Sequence, residues 1–273
     1  MASSSANKNF LVTGAGRGIG RGLSRLLLRK GHRVLLVDNN AEELDHISAK
    51  LSRDGHARGS DFDIAHCDLR SPSDIRVAAD AANELFDGHI DCLVNNAAYT
   101  GGVGGTPLAD LTLEEWQTSI ETNLTGPMLM SQACLPMLRK QDSSRVQGGS
   151  IIHMSSTRAF MSEPNNEGYS TTKAGLLGLT QAMAVSLAPQ GVRVNTILPG
   201  WIHGADECKG ADESGRAWEE GLSEGDHGWH LTGRVGRVED VLKAVEYLVD
   251  AGFVTGAEVV VDGGVTRKMV YPD

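Results

Sequence analysis

Seven short apolar runs divide this chain, and most are unbroken rather than alternating. They are Phe10–Thr13, Arg33–Val37, Asp63–Cys67, Asp91–Asn95, Ser150–Met154, Arg193–Leu198 and Glu258–Val261. An unbroken apolar run needs cover on both faces, as a strand inside a parallel sheet has. Between the runs lie stretches of helical periodicity. These are Ile19–Lys30, one opened by an N-cap serine and a first-turn proline at Ser71-Pro72, one from the capping box Thr112-Leu113-Glu114-Glu115 to roughly Lys140, Tyr169–Leu187 and Glu239–Val249. Strand and helix alternate throughout, which predicts an α/β fold: a doubly wound parallel sheet of seven strands in one domain spanning 1–273. Ligands of such a sheet bind beyond the strand C-termini. The polar, glycine-rich Gln141–Gly149 reads as a surface loop. Trp201–Leu231 is too long for a plain connection and reads as a substrate lid.

The first apolar run leads directly into Thr13-Gly14-Ala15-Gly16-Arg17-Gly18-Ile19-Gly20, and a helical pattern follows at once. Glycines allow a tight turn and a close backbone approach to a ligand. The partnerless N–H groups and the dipole of the helix start favour a pyrophosphate. Alone, the glycine triplet is weak evidence; its place at the first strand-to-helix junction strengthens it. The second run ends at Asp38, eighteen residues past Gly20. A carboxylate there accepts hydrogen bonds from adenosine ribose hydroxyls. It also opposes a 2′-phosphate, so NAD is the expected cofactor. Arg17 offers that phosphate a counter-charge, which keeps NADP open.

Tyr169 and Lys173 stand four residues apart and share a helix face. A free tyrosine, with a pKa near 10, is a poor base at neutral pH, and a neighbouring ammonium favours the phenolate. The pair is therefore suited to proton transfer, although a lone Y-x-x-x-K is common by chance. Ser156, thirteen residues before Tyr169, closes the run Ile151-Ile152-His153-Met154-Ser155-Ser156. Its hydroxyl is placed to orient a substrate oxygen, with Ser155 as the rival.

Taken together, these motifs resemble the classical short-chain dehydrogenase/reductase family, whose fold is Rossmann-type. The matching elements are Thr13–Gly20, Asn95-Asn96-Ala97-Ala98, Asn123, Ser156, Tyr169-Ser170-Thr171-Thr172-Lys173, Pro199-Gly200 and Val261-Asp262-Gly263-Gly264, in the family's order over roughly residues 8–265. The resemblance implies NAD(P)-dependent interconversion of a secondary alcohol and a ketone. Tyr169 would be the general acid/base, Lys173 would lower its pKa and hold the nicotinamide ribose, and Ser156 would orient the substrate. Asn123 would hold a water of a proton relay, or mark a helix kink. Asp68 would contact adenine, and Asn95 would line the cofactor groove. Gly14, Arg17, Gly18, Ile19, Gly20, Asp38, Leu69, Ala97, Pro199, Gly200 and Ile202 complete the expected cofactor contacts. Gly204 stands where many members have a threonine that anchors the nicotinamide carboxamide; backbone near Ile202 is the expected substitute. A homotetramer or homodimer follows from the same resemblance. The alternatives are a non-redox biosynthetic step on the same fold and a cofactor-binding regulator without turnover; the full Ser–Tyr–Lys–Asn set disfavours the latter.

Charge and composition narrow the partners. A formal net charge of −10 opposes nucleic acid, and no basic amphipathic stretch suits a membrane surface. Cys67, Cys92, Cys134 and Cys208 are scattered, without disulfide-like or zinc-like spacing, which suits a reducing compartment. With a short polar N-terminus, the expectation is a cytoplasmic protein. His227 and His230 beside Glu224 and Asp226 are too loosely spaced to predict a metal. The lid carries eight acids, Asp206, Glu207, Asp212, Glu213, Glu219, Glu220, Glu224 and Asp226, against Lys209 and Arg216. That excess predicts a neutral polar or weakly cationic small-molecule substrate.

Overall fold

The computed structural model describes residues 7–140 and 148–269. Seven strands form one sheet: β1 (Asn9–Thr13), β2 (Arg33–Asp38), β3 (Phe62–His66), β4 (Cys92–Asn95), β5 (Ser150–Met154), β6 (Arg193–Pro199) and β7 (Glu258–Val261). Their order is β3-β2-β1-β4-β5-β6-β7, and every pairing is parallel. Order reverses between β1 and β4, and the crevice beyond that reversal is the ligand position of a doubly wound sheet.

Helices cover both faces. On one side α1 (Gly18–Arg29), α2 (Ala41–Arg53) and α9 (Val238–Asp250) bury Leu23, Leu27, Leu44, Ile47, Val241 and Val245 against the strands. On the other, α3 (Pro72–Leu85), α5 (Gly126–Leu138) and α6 (Glu167–Leu187) bury Ile75, Ala78, Met130, Cys134, Met137 and Ala184. Both layers are mainly apolar, which is why the inner strands read as unbroken runs.

Three features depart from the expected elements. The helix predicted from Thr112 to Lys140 is two helices, α4 (Leu113–Ile120) and α5, joined by a π turn at Glu121–Thr125. A π turn holds one residue more than the α ladder accommodates, and such insertions concentrate at functional sites. Helix α2 was not singled out in the sequence. Yet Asn40 caps it through Glu43 N–H, with Glu42 and Glu43 in its first turn and Lys50 and Arg53 in its last. The long 201–231 segment contains two short helices, α7 (Lys209–Ser214) and α8 (Glu224–Gly228). Of the expected Gln141–Gly149 loop, residues 141–147 lie outside the described residues. Among the described residues no helix is long and apolar enough to cross a membrane.

Candidate active site

A cavity of about 790 Å³ opens beyond the C-terminal ends of β1, β2, β4 and β5. Its floor is the glycine turn. Gly14 has φ +67°, and a Cβ there would meet Ala97 Cα at 2.7 Å; a Cβ on Gly20 would meet the Gly14 carbonyl oxygen at 2.1 Å. Those two glycines let the turn and the helix start close on one another. At Gly18, φ is +60° and nothing lies within 4 Å of the missing Cβ, which leaves open space over the start of α1. The first-turn N–H groups of α1 have no partner inside the helix. A cradle that Cβ atoms would fill, facing open space at a helix N-terminus, fits a dinucleotide pyrophosphate. One of its donors, Gly18 N–H, is given to the Glu207 carbonyl at 2.7 Å.

One end of the cavity is marked by Asp38. Its two oxygens accept from Gly16 N–H and Asn40 N–H, each at 2.8 Å, so the carboxylate cannot swing out of the cavity. Asp68 lines the same end and is forked by Arg70, whose hydrogen bonds hold its carboxyl below the usual carboxylate range.

The opposite end holds Ser156, Tyr169 and Lys173. Tyr169 and Lys173 project from the first turns of α6 toward the end of β5. The Lys173 ammonium lies 5.3 Å from the Tyr169 ring centroid and donates to the Met154 carbonyl at 2.7 Å. Lys173 is 2% exposed, and burial pulls its pKa down to about 8. Burial raises the Tyr169 pKa, opposed by a hydrogen bond with Ser156 and by the Arg158 charge. Lys173 is not among the groups that oppose this rise, and the net shift is upward from the ordinary tyrosine value. The two serines separate cleanly. Ser155 Oγ donates to the Lys173 carbonyl at 2.7 Å and is consumed in fastening α6, whereas Ser156 Oγ faces Tyr169 and accepts from Arg158 N–H at 3.2 Å.

Most of the anticipated residues meet here. Gly14, Arg17, Gly18, Ile19, Asp38, Asp68, Leu69, Ala97, Ser156, Tyr169, Lys173, Pro199 and Gly200 line one cavity. Asn95 does not. It points to the α5 face, where its amide donates to Ser131 Oγ at 3.0 Å, and Asn96 takes the groove position. Gly20 is packed beneath the turn rather than lining the space above it. Asn123 lies in the π turn and is fully buried. It accepts from Tyr99 N–H at 2.6 Å and donates to the Tyr99 carbonyl at 3.1 Å and to Thr172 Oγ1 at 3.2 Å. Its amide therefore clamps the loop after β4 to α6, with both N–H donors taken and one Oδ1 lone pair left. Ile202 bridges Gly236 through the Trp201 carbonyl and His203 N–H, so its own peptide groups point the other way. A Cβ on Gly204 would lie 3.3 Å from Gly18 Cα, so glycine there lets the segment after β6 press onto the pyrophosphate turn. Asn39, Asn40, Thr100, Thr118, Thr122 and Arg158 also line the cavity and carry no motif that would have marked them.

The acids of the 201–231 segment do not face the cavity. Asp212 binds Arg21, Lys50 and His46; Glu207 binds Arg25; Glu213, Glu219 and Glu220 pair with Lys209, Arg237 and Arg216; Asp226 caps Ser223. None lines the cavity, so the expected repulsion of anions has no source there. Trp218 donates to the His203 carbonyl at 3.1 Å under the Arg237 guanidinium, and is packing rather than pocket. His227 Nδ1 faces Val235 N–H and His230 Nδ1 faces the Asp226 carbonyl. Among the described residues no three metal-ligating side chains converge.

Fold and cavity together define a dinucleotide-binding α/β protein. Residues 14–266 match the family described as enoyl-(acyl carrier protein) reductase. An uncharacterized oxidoreductase of Thermotoga maritima is 36% identical over 97% of this chain and 98% of its own length. D-threitol dehydrogenase of Mycolicibacterium smegmatis is 33% identical over 96% of this chain and 94% of its own. Among solved structures, an apo SCOR enzyme from Clostridium thermocellum superposes with a TM-score of 0.80 at 30% identity, covering 97% of this chain and 96% of that one. The chain belongs to the short-chain dehydrogenase/reductase family and is an NAD(P)-dependent oxidoreductase.

Proposed function

We propose that the protein interconverts a secondary alcohol and a ketone, with Tyr169 as the proton-transferring residue. The observation that carries this is Ser156 facing Tyr169, with the Lys173 ammonium buried beside the ring, in one cavity of dinucleotide size. When bound, the nicotinamide ring supplies the hydride acceptor or donor. Tyr169 Oη gives a proton to, or takes one from, the substrate oxygen, and Ser156 Oγ orients that oxygen. Lys173, protonated below about pH 8, holds positive charge next to the phenol and is in reach of a ribose hydroxyl. Asn123 acts by position: its clamp on Tyr99 and Thr172 fixes the cavity wall relative to α6.

Asp38 supports NAD over NADP. A 2′-phosphate would meet a carboxylate already locked in place, at a cost of order 4 kcal/mol per charge pair before screening, at ~4 Å and an effective dielectric of ~20. In the 201–231 segment, α7 is clamped to α1 and α2, so the closing lid is the stretch after Gly215, which has φ +68°. The apolar, exposed Leu113, Met128 and Val185 on α4, α5 and α6 support assembly through those helices, as a dimer or tetramer. Reduced-nicotinamide absorbance across polyols, sugars and cyclic ketones tests the reaction. Turnover with NAD on at least one secondary alcohol is expected; none across the panel, in either direction, would overturn it.

A further inference from the structure

The geometry points to Arg158 as the receptor for a carboxylate on the substrate, so that the molecule oxidised or reduced is a hydroxy or oxo acid. This rests on the alcohol–ketone reading only for where the reacting carbon lies, next to Tyr169.

Six charged side chains line the cavity: Arg17, Asp38, Asp68, Arg70, Arg158 and Lys173. The first four belong to the glycine turn and the ends of β2 and β3. From β5, where Ser156 stands, β2 is three strands away and β3 four. At about 4.8 Å per strand those acids are some 14 to 19 Å off, beyond a Debye length of about 8 Å. Lys173 is taken by the Met154 carbonyl and the Tyr169 ring. Among the described residues that line the cavity, Arg158 is thus the one charge of the catalytic half besides Lys173, and no acid lines that half. The hydroxyls of Thr100, Thr118 and Thr122 line the same cavity.

The guanidinium already holds a carboxylate. Nε donates to Glu163 Oε1 at 2.9 Å and Nη2 shares the same oxygen. Glu163 therefore occupies the fork that a planar carboxylate fits. With side-chain exposures of 35% and 48%, the pair is a surface contact worth little, and easily exchanged. A substrate carboxylate delivered on a hydroxylated carbon chain would take the place of Glu163, and the reacting carbon would lie near Ser156, which Arg158 N–H already touches. One guanidinium with no second free cation beside it matches a monoanion better than a phosphate dianion.

The test uses the enzyme loaded with NAD+, and measures binding by calorimetry and turnover by NADH absorbance. The probes are four- to six-carbon aldonates, the matching alditols, and D-glucitol 6-phosphate. Wild type should bind the best aldonate at least tenfold tighter than its alditol and tighter than the phosphate ester. Arg158→Gln should bring that ratio near one, a comparison in which any general damage to the site cancels. Glu163→Gln, which frees the fork, should raise the ratio two- to fivefold. A wild-type ratio near one, a ratio unchanged in Arg158→Gln, a ratio lowered in Glu163→Gln, or tighter binding of the phosphate ester overturns the assignment. An intact binding ratio with no turnover of any probe would instead remove the redox reading and leave the carboxylate site standing.

Discussion

Replacing Asp212 by alanine should cost about 3 kcal/mol of stability, although the residue lies in a segment that reads from sequence as a loose lid. Asp212 is the hub of a cluster: Arg21 from α1 and Lys50 from α2 both bind it, and His46 Nε2 lies 2.9 Å away. Burial alone would push its carboxyl pKa up. Hydrogen bonds from Lys50, Arg21 and His46 outweigh that and hold it at about 2. Arg21 is 1% exposed, and without Asp212 its nearest carboxylate is Glu207 at 3.7 Å. Breaking one side of a buried pair costs ~3–5 kcal/mol. The remaining Glu207 contact and the partial exposure of Lys50 place this case at the lower end. Unfolding entropy of roughly 2.1 cal/mol/K per residue gives about 0.6 kcal/mol/K for 273 residues, so Tm should fall by about 5 °C. Scanning calorimetry reads this directly. Amide exchange across 205–214 should quicken in the same variant. The double variant Arg21→Met, Asp212→Leu should recover at least half the loss, because no charge is left buried alone. A Tm within 1 °C of wild type for Asp212→Ala would show that α7 is not held by this cluster.

Other outcomes follow from the site. Tyr169→Phe should lower kcat at least 10²-fold with the cofactor Kd nearly unchanged; a tenth of wild-type kcat retained would place the proton transfer elsewhere. Lys173→Ala should damage both kcat and cofactor affinity, and an effect on one alone would count against its double role. NAD should exceed NADP in kcat/KM at least tenfold, and Asp38→Ala should narrow that ratio tenfold while weakening NAD, because Gly16 and Asn40 lose their anchor; a wild-type preference for NADP refutes this. Burial, then the Lys173 charge, pulls the His153 pKa down to about 4. The unfolded chain binds that proton from about pH 6.5 downward and the folded one does not, so stability is lost as pH falls through this window, by about 2 kcal/mol between pH 7 and 5. His153→Asn should flatten that loss in urea titrations at the two pH values; an equally steep loss would assign it to other groups.

The inner strands β1, β2, β4, β5 and β6 were legible because they are buried on both faces, which leaves short apolar runs between turn signals; the edge strands β3 and β7 are only partly buried. Legibility failed where a residue's role depends on direction or on distant partners. Asn95 and Asn96 are adjacent and identical in type; only the pleat at the end of β4 sends one to α5 and the other to the cavity. The π turn adds one residue inside a continuous helical pattern, which no apolar periodicity marks. The acids of the 201–231 segment looked like a repulsive field because their partners, Arg21 and Lys50 above all, lie more than 150 residues away in sequence. Arg158 stood alone in a loop, and only the cavity gives it a neighbour to act upon.

The turn that caps α2 lines the cavity, and α2 itself anchors α7. Asn40, whose N–H is fixed by Asp38, caps α2 through Glu43, and Glu43 Oε2 in turn accepts from Lys209 N–H at 2.7 Å at the start of α7. Three residues of sequence thus link the carboxylate at one end of the cavity to the start of α7. For anyone redesigning this enzyme, the carboxylate at position 38 and the seating of α7 are not separate dials. A library that varies positions 38–43 to admit NADP would also re-seat α7, and should be screened on more than one substrate from its first round.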